Sequence, residues 1–177
     1  MALEKRFQNI ELRAKGRRLE GYAALFGNEA NIGGGVVETI APGAFKLTLQ
    51  ERTDILALVD HDPARVLART RSGTLRLSED TRGLSFDLDV PDTQAGRDVL
   101  ALAERGDLGG MSFGFSARDE RIDGNRRELR AVDLFEISVV AAFPAYDGTI
   151  INARAKSGDF LAREYAVRTL QIMELLS

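Results

Sequence analysis

The chain has 177 residues, with no cysteine, no tryptophan and a single histidine, His61. This composition excludes disulfide bonds, zinc–cysteine and iron–sulfur sites, a cysteine nucleophile, and metal sites built on two imidazoles of one chain. Lysine and arginine number 24 against 27 acidic residues, and the basic residues are scattered, so nothing favours nucleic acid binding. No apolar run approaches the roughly 20 residues that span a bilayer. We therefore expect a cytoplasmic protein with neither a nucleic acid nor a membrane partner.

The first half of the chain is dominated by short strand patterns. Residues 55–59 (ILALV) form a continuous apolar run that is typical of a buried strand and ends just before His61. Residues 84–90 alternate apolar and polar side chains, and residues 81–83 (TRG) before them predict a hairpin turn. Pro42 predicts the first residue of a short helix that reaches Leu49. Further strands are predicted at residues 3–14, 18–26, 36–40, 65–70 and 74–78.

The second half contains a helix, two strands and a terminal helix. Thr93 is a typical N-cap and Gly106 a typical helix terminator, with apolar residues at helical spacing between them. Residues 111–117 and 134–143 predict strands, joined by a polar hairpin loop at 118–127. Residues 159–176 predict an amphipathic helix. These patterns divide the chain into a β-rich domain at 1–154 and a C-terminal helical segment at 155–177.

Many short strands with a few helices indicate the α+β class. We expect a β-rich fold, a small bent β-barrel of about six to eight mostly antiparallel strands with surrounding helices.

Three polar residues interrupt apolar strand patterns. His61 follows the run ILALV, Ser112 lies in GGMSFGFSA, and Glu136 lies in LFEISVV. A carboxylate inside a valine-rich strand is costly unless it has a partner or faces a cleft. A hydroxyl, an imidazole and a carboxylate are the parts of a serine nucleophile set. The pattern alone does not bring the three together, and each has a plainer interpretation, since His61 could be a surface residue and Ser112 and Glu136 could lie on the outward faces of strands.

The order of these segments adds information that single residues lack. The series LVDHDPARVLART, GGMSFGFSA and LFEISVVAAFPAYDGT, preceded by GYAALFGN and IAPGAF, spans about residues 21–153. It resembles the prohead maturation protease family of tailed bacteriophages and related gene transfer agents. Asp60 and Ala68 stand where that family more often has asparagine and glycine. Because both lie beside the matching histidine, they affect the geometry of the loop more than the identity of the site.

The resemblance implies a serine endopeptidase that works inside an immature capsid in the host cytoplasm. It implies cleavage of the scaffolding protein, or of a scaffold-like extension of the major capsid protein, and self-cleavage, with no metal and no cofactor. The family is similar in fold to herpesvirus assemblins, which have a bent β-barrel surrounded by helices and dimerise through a helix. The C-terminal helix therefore has two interpretations, packing against the barrel or forming a homodimer.

By the same resemblance, Ser112 is the nucleophile and His61 the general base. Assemblins use a second histidine as the third member of the triad, which this chain lacks. We expect Glu136 in that role. Asp133 is the main alternative, because a register error of two or three residues would exchange the two acids. Asp62 is less favoured, since adjacent side chains on an extended chain diverge.

The sequence does not identify which backbone N–H groups would form an oxyanion hole. The turn at residues 145–148, Gly110 and the backbone amide of Ser112 are the candidates. Two other functions also remain open, a non-catalytic capsid-assembly module that binds scaffold and an unrelated β-barrel that binds a small ligand.

Overall fold

The structure is a computed structural model, and it describes residues 3–8 and 13–141. Within these residues the chain forms eleven strands, two α-helices and one 3-10 helix at Thr70–Ser72. The strands are β1 Glu4–Gln8, β2 Arg13–Lys15, β3 Arg18–Leu25, β4 Ala30–Asn31, β5 Val37–Ile40, β6 Leu56–Val59, β7 Asp62–Arg69, β8 Leu75–Glu79, β9 Gly83–Asp89, β10 Gly110–Asp123 and β11 Arg126–Val140. The helices are α1 Lys46–Glu51 and α2 Gln94–Arg105.

The first sheet has seven strands and is organised around the long strand β11. Its order is β1-β10-β11-β5-β4, and β6, with β7 beyond it, pairs with β11 further along the same edge. The pairs of β11 with β5 and with β6 are parallel, and the other pairs of this sheet are antiparallel. Strands β10, β11 and β6 therefore run side by side at the centre of the sheet.

Helix α1 and the turn before it fill the interval between β5 and β6 along the edge of β11. The backbone N–H of Val132 donates to the carbonyl of Ala44 at 3.0 Å. The N–H of Leu134 donates to the hydroxyl of buried Thr48, also at 3.0 Å. Strand β11 thus keeps its backbone hydrogen bonds where no strand lies beside it, as buried N–H groups require.

The second sheet has four antiparallel strands in the order β2-β3-β9-β8. Leu84, Phe86 and Leu88 of β9 are buried and alternate with more exposed polar residues, so one face of this sheet packs into the core. The core also contains Phe45, with its ring 5.7 Å from Phe113 in an edge-to-face arrangement.

The predicted β-rich α+β class is confirmed, but the strands of the described residues form two sheets and no closed barrel. The first sheet ends at β1, β4 and β7, and the second ends at β2 and β8. The expected six to eight strands are also too few, because the single strand predicted at 3–14 corresponds to two strands, β1 and β2, and the short strand β4 was not predicted.

Two local predictions differ from the structure. Pro42 does not begin a helix, because Gly43 has a φ of 92°, a left-handed value that a helix excludes, and α1 starts only at Lys46. The hairpin predicted at residues 118–127 is present, but its loop is shorter than expected, since β10 and β11 continue to a tight turn at Gly124.

Other predictions were right. The hairpin turn before β9 and the helix between Thr93 and Gly106 are confirmed, with the Thr93 hydroxyl accepting from the N–H of Gly96 and Gly106 in the left-handed conformation. No helix among residues 3–8 and 13–141 is long and apolar enough to cross a membrane. The predicted C-terminal helix, the division at residue 154 and the turn at 145–148 lie outside the described residues.

Candidate active site

Strand β10 presents a small polar face because its alternate residues are large and apolar. Met111, Phe113 and Phe115 are fully buried in the hydrophobic core. Side chains alternate across a strand, so Ser112 and Gly114 face away from those core residues. Ser112 itself is only 1% exposed, which places its hydroxyl in a covered site rather than in open solvent.

Strand β11 brings two further polar side chains to the same place. Glu136 and Ser138 alternate with buried Ile137 and Val139. In the antiparallel register, Glu136 lies opposite Gly114 and Ser138 lies opposite Ser112. A Cβ on Gly114 would come 2.3 Å from the Glu136 Oε1 atom, so only glycine leaves room for this carboxylate.

His61 reaches this site from a tight turn between β6 and β7. Asp60 and His61 form the turn, with φ values of 50° and 60°, and the flanking Val59 and Asp62 are paired. Two positive φ values are typical of a type I′ hairpin turn. Left-handed backbone is unfavourable for residues other than glycine, and such strain often occurs at functional sites.

Asp60 holds the turn against the end of β11. Its backbone N–H donates to the carbonyl of Val139 at 2.9 Å, and its Oδ1 accepts the N–H of Ala141 at 3.0 Å. The short polar side chains of aspartate and asparagine tolerate left-handed backbone. Aspartate at position 60, where the resembling family more often has asparagine, therefore preserves the turn.

The three predicted residues lie in a continuous line of hydrogen bonds. The His61 Nε2 atom is 2.7 Å from Ser112 Oγ, and the His61 Nδ1 atom is 2.6 Å from Glu136 Oε1. Ser112 lies in β10, Glu136 lies in the neighbouring strand β11, and His61 lies in the turn after β6. An imidazole between a hydroxyl and a carboxylate can accept the hydroxyl proton on Nε2 while its Nδ1–H is held by the acid.

The Ser112 hydroxyl has a second neighbour. It lies 2.8 Å from the backbone carbonyl oxygen of Arg6 in β1, which can only accept a hydrogen bond. A hydroxyl has one proton, so it cannot donate to His61 Nε2 and to Arg6 at the same time. Transfer of that proton to His61 therefore requires the O–H bond to point toward Nε2 and not toward the Arg6 carbonyl.

The alternative acids have other partners. The Asp133 carboxylate binds the guanidinium of Arg118 at 2.7 Å, and the Asp62 Oδ1 atom accepts the backbone N–H of Ala64 at 2.9 Å. The structure thus brings Glu136, and neither Asp133 nor Asp62, to the imidazole of His61.

Among the candidate oxyanion donors, Gly110 begins β10 opposite Val140 with a φ of 143°, and Ser112 continues that strand. The turn at 145–148 lies outside the described residues. Within the described part of the chain, no group of three or more histidine and acidic side chains is arranged to hold a metal ion.

A second buried carboxylate lies elsewhere in the same sheet. Glu38 of β5 is 2% exposed and accepts from Arg6 at 2.5 Å and from Arg127 at 2.9 Å. Arg127 also binds Glu4, and this hydrogen bond holds the pKa of Glu4 below its usual value. We call Glu4, Arg6, Glu38 and Arg127 the arginine–glutamate cluster.

Two residues of the site escaped the sequence analysis. Ser138 is fully buried, and its hydroxyl donates to Glu136 Oε2 at 2.6 Å and accepts the backbone N–H of His61 at 3.2 Å. Gly114 leaves the space for Glu136. Ser138 was detectable, because it is a polar residue among apolar ones in a strand and lies two positions from Glu136, on the same face.

Comparison with known proteins places the chain in a family. The profile of the Caudovirus prohead serine proteases matches residues 5–164. The capsid assembly protease of bacteriophage T4, gp21, has a similar fold, with a TM-score of 0.53 and 12% sequence identity over 80% of this chain and 97% of that one. No curated protein sequence matches the chain. Since the family profile covers most of the chain, the protein belongs to the Caudovirus prohead serine protease family.

Proposed function

We propose that the protein is a serine endopeptidase in which Ser112 is the nucleophile, His61 the general base and Glu136 the acid that orients it. The observation that carries the proposal is the line of hydrogen bonds from Ser112 through His61 to Glu136, at 2.7 and 2.6 Å. Its occurrence in a chain of the prohead serine protease family supports the same assignment.

The arrangement performs peptide hydrolysis in two stages. The Ser112 oxygen attacks the carbonyl carbon of the substrate, while its proton passes to His61 Nε2. The tetrahedral intermediate collapses, the C–N bond breaks, and the proton on Nε2 goes to the leaving amine. Water then attacks the acyl-enzyme with His61 again as base, and the acid product leaves while Ser112 recovers its proton.

Glu136 acts on the imidazole and not on the substrate. Its Oε1 atom accepts the Nδ1–H of His61, which keeps Nε2 free to accept a proton. The carboxylate also stabilises the imidazolium that forms during attack. Gly114 contributes by leaving space for this carboxylate beside the ring.

Family membership supports a proposal for the substrate. We infer that the protein cleaves the scaffolding protein or a scaffold-like extension of the major capsid protein, and itself, inside the immature capsid in the host cytoplasm. The capsid assembly protease of bacteriophage T4 has a similar fold, which is consistent with this role. A non-catalytic scaffold-binding module would have no need for Ser112 and His61 to lie within hydrogen-bond distance, and their contact at 2.7 Å argues against it.

Co-expression with the capsid protein of the same particle tests the proposal. Intact mass spectrometry should show shortened capsid protein with the wild-type protease and full-length protein with Ser112→Ala, because the rate falls by about 10⁴-fold or more. Ser116→Ala is a matched control, since Ser116 is a buried serine of the same strand. Cleavage by Ser112→Ala at the wild-type rate would contradict the assignment.

A further inference from the structure

We propose that Ser138 is a positioning residue that fixes the general base and its acid relative to one another. This inference rests on the proposed function, because it assigns Ser138 a role in the same reaction. The hydrogen bonds of Ser138 lead to His61 and Glu136, and through these two residues it acts on the reaction.

One hydroxyl connects the backbone of the base with the side chain of the acid. The Ser138 oxygen accepts the N–H of His61 at 3.2 Å, and its proton is donated to Glu136 Oε2 at 2.6 Å. The other carboxylate oxygen, Oε1, receives the His61 ring at 2.6 Å. Together these contacts close a ring from the His61 backbone through Ser138 and Glu136 to the His61 imidazole.

The closed ring matters because it connects two side chains that come from different segments of the chain. His61 lies in a two-residue turn with left-handed backbone, and its ring is oriented by hydrogen bonds to Ser112 and Glu136. Glu136 has three side-chain torsions, and a hydrogen bond on each carboxylate oxygen selects one orientation among them. The short bond to Ser138 thus sets the plane of the carboxylate that the imidazole meets.

Packing alone does not explain a serine at this position. Ser138 is fully buried between Ile137 and Val139 in sequence, where a strand of a sheet ordinarily carries an apolar residue. Burial of a hydroxyl is costly unless its hydrogen bonds are made, and both of these bonds lead to members of the candidate triad. The register places Ser138 opposite Ser112, at the centre of the site.

The test compares Ser138→Ala with Thr48→Val. Thr48 is also a fully buried hydroxyl that accepts a backbone N–H, that of Leu134 in β11, so its loss reproduces the structural cost. The activity probe is a fluorophosphonate, with which the serine oxygen forms an O–P bond while fluoride leaves and the hydroxyl proton goes to His61. Intact mass measured over time separates the maximal rate of labelling from the probe concentration at half-maximal rate.

We expect Ser138→Ala to lower the maximal labelling rate about 10- to 100-fold, as misplacement of catalytic groups by about 1 Å does. The half-maximal concentration should stay within about twofold of wild type, since Ser138 is not expected to touch the probe. Thr48→Val should lower the melting temperature without changing the rate. Ser138→Cys, which is slightly larger and has a weak donor, should have an intermediate rate and provides the test if the alanine variant does not fold.

Proton NMR gives a second readout that a structural role would not change. The chain has one histidine, so the Nδ1–H resonance of the imidazole has a unique assignment. Ser138→Ala should shift or broaden this resonance, whereas Thr48→Val should leave it in place. An unchanged resonance together with a wild-type labelling rate in Ser138→Ala overturns the positioning role. A wild-type protein that is not labelled at Ser112 overturns the proposed function instead, while the NMR comparison still decides whether Ser138 orients the ring.

Discussion

The first sheet contains two buried carboxylates whose partners differ in chemistry. Glu38 is surrounded by the guanidinium groups of Arg6 and Arg127, which remain charged at any physiological pH. Glu136 instead contacts the imidazole of His61 and the hydroxyl of Ser138. Both acids are nearly inaccessible, with 2% and 8% of their surface exposed.

The difference shows why burial of an acid does not by itself indicate catalysis. A carboxylate between two arginines has no side-chain partner that exchanges a proton, so the side chains of the arginine–glutamate cluster hold strands together and take no part in proton transfer. A carboxylate bound to an imidazole contacts a group that can accept and release a proton, and it can stabilise the ring when the ring gains one. The arginine–glutamate cluster is therefore expected to support stability and the His61 site to support activity.

The largest expected effect is on activity at the His61 site. Glu136→Gln keeps the shape of the side chain but no longer holds the Nδ1–H tautomer or stabilises the imidazolium. We expect the rate of capsid protein cleavage to fall by about 10⁴-fold with the fold retained. Single-turnover cleavage assays and circular dichroism measure the two quantities, and a rate within tenfold of wild type would remove Glu136 from the triad.

In the arginine–glutamate cluster we expect a loss of stability with activity retained. Glu38→Gln removes the buried carboxylate that both Arg6 and Arg127 bind and leaves Glu4 as the acid they share, and we expect the free energy of unfolding to fall by about 2 kcal/mol. The folded fraction should still cleave. Glu29→Gln is the control, because its ion pair with Arg126 is exposed and is worth less than about 1 kcal/mol. Equal effects of the two variants in urea unfolding would show that burial of Glu38 adds nothing.

The same cluster should make stability depend on acid pH. The hydrogen bond from Arg127 lowers the pKa of Glu4 in the folded protein below its ordinary value of 4.5. The contribution of Glu4 to the free energy of unfolding is therefore fully present above pH 4.5. It is lost as the pH falls through the lower pKa that Glu4 has in the folded protein. In Glu4→Gln, the free energy of unfolding, measured by urea unfolding, should fall less steeply as the pH drops below 4.5. The same decline as in the wild-type protein would show that Glu4 does not cause it.

The smallest expected effect is at Asp133, the alternative to Glu136 as the acid of the triad. Asp133 binds Arg118, whose other partner is Glu51, in a partly exposed ion pair. Asp133→Asn should change the free energy of unfolding by less than about 1 kcal/mol and the cleavage rate by less than about threefold. A large loss of activity with stability retained would transfer the acid role from Glu136 to Asp133.

Local patterns predicted several elements correctly, because neighbours in sequence determine them. The apolar run before His61, the hairpin turn before β9 and the cap of α2 at Thr93 each depend on residues within a few positions. The extension of β10 and β11 through residues 118–127 was missed, since an exposed two-stranded ribbon of charged residues shows no buried face.

The site shows the same division. Glu136 was singled out as a carboxylate in a valine-rich strand, yet Glu38 in VVETI fits that description equally well. The two are distinguished by partners far away in sequence, because Arg127 is 89 residues from Glu38 and His61 is 75 residues from Glu136. The parallel pairing of β6 with β11 that brings His61 to Glu136 is a long-range contact, which periodicity does not encode. Resemblance to a family supplied the order of the segments, and the register of the sheet supplied the distances.

The most direct test of the central claim is to identify which side chain reacts. Wild-type protein treated with a fluorophosphonate, digested and mapped by mass spectrometry should have one phosphonylated residue, Ser112. Ser112→Ala has no hydroxyl to label at this position, and His61→Ala should be labelled there far more slowly than the wild-type protein. Labelling of a different serine while Ser112 stays unmodified in the wild-type protein would contradict the account.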